Sequence, residues 1–155
     1  MVTTTVILGL VAAFVSLVGY IPYFKNIFAG KTKPHAFSWL IWAILTGIAF
    51  AAQVVEGGGP GAWVTGLSTL VCLAIFILGL LKGERRFVLF DWLSLMAAFV
   101  ALLLWWFTKD PTLSVILITL TDAVAFLHTF RKAYYNPYEE TAITFAFGGL
   151  KFLIA

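Results

Sequence analysis

Charge is what this sequence has least of. Lysine, arginine, aspartate and glutamate make up 11% of the chain against 62% hydrophobic residues, whereas a soluble domain carries about 25% charged and roughly 45–50% apolar residues. The deficit excludes water as the medium around most of the surface. Cysteine is almost missing as well: Cys72 stands alone, which rules out an intrachain disulfide framework or thiolate metal site. Its place in an apolar run reads as a small buried hydrophobe. The two histidines, His35 and His128, lie far apart, and there is no zinc-ligand pair, phosphate-cradling glycine loop or nucleophile elbow. The chain therefore reads as non-enzymatic, without metal or cofactor. An intramembrane enzyme would have to use Asp122 as acid or base on a bound lipid. Nucleic acid is not expected as a partner, because the ten basic residues are taken up by the connections between apolar runs.

What is abundant is long apolar sequence. Runs fall at about 5–28, 36–55, 61–81, 87–107, 112–131 and 139–155, separated by charge, glycine or proline. A helix needs roughly 20 apolar residues to cross about 30 Å of hydrocarbon, and a lipid-facing strand would leave its backbone groups unpaired. The expected fold is thus an all-α polytopic membrane protein with about six transmembrane helices and the lipid bilayer as its surroundings. The first run lacks the basic stretch and cleavage site of a secretory leader and is read as a retained span.

The connections alternate in charge. Lys25, Lys31 and Lys33 surround the first, Lys82, Arg85 and Arg86 the third, and Arg131 and Lys132 the fifth. The second holds only Glu56, and the fourth pairs Lys109 with Asp110. The positive-inside rule places the first, third and fifth loops in the cytoplasm and the amino terminus outside.

Setting Pro34 against Pro137 superposes span one on span five and span two on span six. A parallel duplication then implies a three-helix unit at 1–82, a linker helix at 83–109 and a second, incomplete unit at 110–155. The segment from Pro22 to Trp39 resembles the loop of the PQ-loop superfamily, which includes the SWEET sugar transporters. Pro22 matches the family proline, Lys31-Thr32 stands where that loop has Lys-Ser, and Ser38-Trp39 matches the serine and aromatic that begin the second span. Tyr23 departs from the Pro-Gln pair, and in the second unit Ala125 aligns with Pro22. The resemblance implies seven spans, so a chain stopping within the sixth is expected to be truncated; a homo-oligomer supplying the missing part is the alternative.

The candidate site residues sit at depth in these runs. Asp122 lies mid-span, where a carboxylate costs about 2.5–3.5 kcal/mol on insertion scales and is usually functional. Lys151 lies midway along an antiparallel span. The two are expected to line a polar cavity, the alternative being a structural ion pair. Trp39, Trp42, Thr46, Ala49 and Gln53 recur at steps of three and four and share one helix face, a mixture suited to stacking on and hydrogen-bonding a polar solute. Trp39, nearer the cytoplasmic edge, reads equally as an interfacial anchor. Thr141, Thr144, Gly148 and Lys151 form a second stripe, the first three explicable by close helix packing. Pro22 reads as a hinge or as the end of its helix. His128 reads as a proton relay with Asp122 or as a locally bonded side chain. Glu139 and Glu140 read as charges favouring the start of span six.

These features lead to a carrier of a small polar solute, such as a sugar, amino acid or vitamin precursor, working by alternating access. A sorting receptor or assembly partner on the same scaffold, without turnover, is the alternative. The inventory suits passive and proton-coupled carriage alike, with Asp122 favouring the second.

Overall fold

The computed structural model describes residues 2–83, 89–108 and 111–154. Arg85, Arg86, Phe87, Lys109, Asp110 and Ala155 lie outside the described residues, as do the side chains of Asp91, Trp105 and His128. Among the described residues the chain is all-helical with no strand: α1 (Val2–Phe28), α2 (Ala36–Val55), α3 (Gly61–Lys82), α4 (Leu89–Thr108), α5 (Pro111–Tyr135) and α6 (Ala142–Ile154), with a 3-10 turn at Pro137–Glu139. Three of these helices, α1 from Thr4, α2 and α3, are long and apolar enough to cross a membrane. Their outward faces carry Phe14, Leu70 and Val55, exposed by 67%, 66% and 83%, a density of uncovered apolar side chains that suits lipid rather than water.

α1 runs through Pro22 to Phe28, so the proline does not end the helix. A glycine does: Gly30 has φ +71°, its N–H bonds the Ile27 carbonyl, and the Lys31 N–H bonds the Asn26 carbonyl. This paired closure uses the left-handed conformation that glycine adopts without a Cβ penalty. At the start of α2, His35 is the N-cap, and its side chain accepts from the Ser38 N–H. The Ser38 hydroxyl, wholly buried, then donates to the Ala125 carbonyl of α5 at 3.3 Å. Ser38 is therefore a link between α2 and α5.

α3 packs on both α1 and α2; α1 also packs on α6, α2 on α5, and α4 on α5 and α2. The α1–α6 contact is set by Gly19, where a Cβ would stand 2.4 Å from Phe147 Cβ. Both atoms belong to helix stems with no flexible end to move. Gly19→Ala is expected to push α1 and α6 apart and cost about 1–3 kcal/mol, read as a lower unfolding temperature in detergent. Gly148→Ala, with nothing within 4 Å of its Cβ, should show no loss; equal stability of the two variants would refute the contact.

The last span differs from the sequence expectation. The run from 139 was expected to be one helix opened by Glu139 and Glu140. Instead Glu139 closes the 3-10 turn and Glu140 is extended, at φ −123° and ψ 152°. Glu140 is drawn into an ion pair with Lys132 at 2.8 Å, which holds it away from the start of α6.

Candidate functional site: a cavity closed at the basic end

A cavity of about 770 Å³ lies among α1, α2, α3, α5 and α6, within the roughly 300–1,000 Å³ typical of small-molecule sites. At one end its lining reaches Gly58 and Gly61, at the connection between α2 and α3. At the other it ends on packed rings. Trp39 and Trp42 meet edge to face at 5.0 Å, Trp42 lies 5.0 Å from Phe126, and Phe145 stands 6.0 Å from Trp42 and 6.2 Å from Phe126. Trp39 is 4% exposed, so the interfacial-anchor reading of this residue does not hold. Its ring packs against Tyr20 and Tyr23 of α1 and Phe145 of α6.

Beyond the rings lies a polar layer. Trp39 Nε1 donates to the Tyr23 hydroxyl at 3.1 Å, and that hydroxyl donates to Glu140 Oε2 at 3.2 Å. Lys132, its side chain 4% exposed, pairs with Glu140 and also donates to the backbone carbonyls of Lys33 and Glu139. Asn26 donates to Thr141 at 3.0 Å, Thr32 and Thr141 share a 2.7 Å hydroxyl contact, and Lys33 pairs with Glu139 at 2.5 Å. The first connection is thus sewn to the connection between α5 and α6, closing the end that carries the basic residues. Tyr23, the departure from the Pro-Gln pattern, is wholly buried and couples the ring floor to the ionic layer. Burial pushes the Glu140 carboxyl above its ordinary value, while neighbouring Lys132 and the Tyr23 hydroxyl pull it back only in part.

Within the cavity, Lys151 is 2% exposed. Its ammonium donates to Ser68 at 2.7 Å, Tyr20 at 3.0 Å and Ser16 at 3.4 Å, and lies 4.8 Å above the Tyr20 ring. Ser68 spends its own proton on the Val64 carbonyl, which leaves a lone pair for the lysine. These bonds tie α6 to α1 and α3. Asp122, partly buried on α5, lines the same cavity and sits beside the Trp42 indole. No ion pair joins it to Lys151 among the described residues, so the structural-pair alternative does not describe this arrangement.

Among the described residues, three polar atoms of side chains that line this cavity are buried without a hydrogen-bond partner: Trp42 Nε1, Gln53 Oε1 and Thr144 Oγ1. The Asp122 carboxylate is near the Trp42 N–H, but the geometry falls short of a bond. Native proteins rarely leave such groups unsatisfied, because each costs about 1–3 kcal/mol. A side-chain rotation that turned them to the cavity would let them donate to and accept from a bound polar molecule.

The structure therefore brings Trp39, Trp42, Gln53, Asp122 and Lys151 to one cavity, and adds Tyr20, Ser68 and Thr144, which sequence reasoning left out as site residues. Thr144 was legible as part of a stripe but was assigned to helix packing. Gly148 faces open space, so close approach is not its role either; Gly19 supplies that contact. Pro22 lies in α1 next to Tyr23 and outside the cavity lining. His128 lies on α5, and its side chain is outside the described residues. Among the described residues no cluster of His, Cys, Asp or Glu could hold a metal ion. No protein-family model matches the chain, and neither does any curated protein or solved structure.

Proposed function

We propose that this chain is a multi-pass membrane carrier for a small polar solute, working by alternating access, with six spans, its amino terminus outside and its basic loops cytoplasmic. The observation that carries the reading is the cavity with three unpartnered buried polar atoms. A surface needed only for packing would gain by replacing them with apolar groups. The closed basic end gives the second element of a carrier: solute enters past Gly58 and Gly61 while Tyr23, Lys132 and Glu140 bar exit on the far side. Release then requires that layer to part and the opposite end to close.

Helix packing supports the duplicated architecture of two three-helix units and a linker. Exchanging α1 with α5 and α2 with α6 turns the α1–α6 contact into the α5–α2 contact, and both are present. Two units related in this way can rock about the cavity between them. The PQ-loop-like segment supports the same reading, with Ser38 bonding across to α5 where the second unit is expected. Pro22, half-buried beside Tyr23, is the hinge of α1.

A Gly148→Cys variant in a Cys72→Ala background provides a test, because nothing lies within 4 Å of a Cβ at this cavity-lining position, whereas Cys72 is too buried to react. In proteoliposomes a small membrane-impermeant thiol reagent is expected to modify it from the side of the connection between α2 and α3, and transported solute should slow the reaction. Counterflow of labelled solute should accompany that protection. Protection without counterflow would favour the receptor alternative, and modification only from the basic side would overturn the proposed direction of access.

A further inference from the structure

We propose that the solute is a zwitterion, its carboxylate received near Lys151 and its cationic group near Asp122. This rests on the carrier reading and names the chemical class that the cavity takes. The argument starts from two opposite charges that share a cavity and do not neutralise each other. Lys151 has three neutral hydroxyl partners and Asp122 has the Trp42 indole beside it. Neither is paired with a charge of opposite sign among the described residues. Charges held apart at membrane depth are costly; hydrogen bonds such as those of Lys151 offset part of that cost, and a counter-charge with good geometry offsets more.

A neutral polyol could bond the unpartnered Trp42, Gln53 and Thr144 atoms but would leave both charges uncompensated. A simple anion would answer Lys151 and leave Asp122; a simple cation would do the reverse. A zwitterion answers both and adds no net charge to the cavity. The surroundings fit each end. Thr144 lies two turns before Lys151 on the same face of α6, so its hydroxyl can donate to a carboxylate held there. Phe126 lies one turn after Asp122 on α5, and with Trp42 it offers ring faces that attract an ammonium or quaternary nitrogen. The open space at Gly148 leaves room for the body of the solute.

Binding to the purified full chain in detergent, followed by calorimetry, tests this with phenylalanine, 3-phenylpropionate, 2-phenylethylamine and glucose. These share a ring with both charges, with one charge, or offer neutral hydroxyls alone. The expected result is that phenylalanine binds at least about tenfold more tightly than either singly charged analogue. Each such factor corresponds to about 1.4 kcal/mol. Lys151→Gln should cost phenylalanine and 3-phenylpropionate at least about tenfold and leave 2-phenylethylamine unchanged. Asp122→Asn, on a partly exposed position, should give the mirror result. Gly148→Leu, which has room for its side chain, should weaken every ligand by filling the cavity. The inference is overturned if glucose or a singly charged analogue binds more tightly than phenylalanine, or if both charge variants weaken all ligands alike. Counterflow of glucose with no phenylalanine binding would sink the zwitterion and leave the carrier standing. Selective phenylalanine binding with no counterflow would do the opposite.

Discussion

Lys132→Met is expected to lower stability by about 3–5 kcal/mol, because it strands a nearly buried Glu140 carboxylate without its ammonium partner. It also frees the Lys33 and Glu139 carbonyls, so the first connection should come away from the connection between α5 and α6. Thermal unfolding in detergent and protease cleavage within 29–35 would report the two effects. The double variant Lys132→Met, Glu140→Leu should regain most of the loss, since a buried pair replaced by apolar groups is often neutral. A single variant as stable as the parent would show that this pair does not hold the basic end.

The same layer carries a pH dependence whose sign follows from burial. Glu140 faces Lys132 from α5 and the Tyr23 hydroxyl from α1, with Lys33 and Glu139 paired alongside. Its carboxyl lies above the ordinary value of 4.5, so the closed layer binds the proton more tightly than an open one in which Glu140 meets water. Closure is therefore favoured as pH falls through the raised value, the gain is complete below the ordinary value, and it is absent above the raised one. Opening measured by the same cleavage should accelerate as pH rises across that window. In Glu140→Gln the slope should vanish; an unchanged slope would assign the titration elsewhere.

Lys151→Met is expected to slow solute counterflow by about tenfold to a hundredfold at subsaturating solute. It removes the only ammonium in the described cavity lining and leaves the Ser16, Tyr20 and Ser68 hydroxyls facing a thioether. A hydrogen bond to a charged group contributes about 1.5–3 kcal/mol, roughly a tenfold to hundredfold weaker binding if one is lost to the solute. Lys151→Met should also loosen α6 from α1 and α3, so counterflow must be compared at equal folded protein. Full counterflow in folded Lys151→Met would remove this residue from the site.

Different parts of this molecule were legible to different degrees. The apolar runs announced helices because every lipid-facing residue adds its own favourable transfer energy, and those energies sum locally along the chain. Lys151 and Asp122 stood out for the same reason, as exceptions within such runs. The stripe from Trp39 to Gln53 could be read from helical periodicity, which fixes a shared face whatever that face meets. The closure at the basic end was not legible. Glu140 looked like a charge suited to the start of a helix, and its partner Lys132 lies beyond Pro137 at the end of another. Tyr23 stood out as a departure from the Pro-Gln pair and is wholly buried, because Trp39 and Glu140 converge on its hydroxyl from remote parts of the chain.

By itself, then, the sequence determined that the chain is helical, that apolar surface dominates it, and which few polar groups lie at depth, since these depend on composition and period alone. Tertiary structure alone decided that Lys151 answers to hydroxyls on α1 and α3, that Asp122 stays apart from it, and that one end of the cavity is shut. Those outcomes depend on how each helix is turned about its axis and which neighbour it meets. Such orientations are set by contacts between residues as far apart as Gly19 and Phe147, and no sum over neighbouring positions contains them.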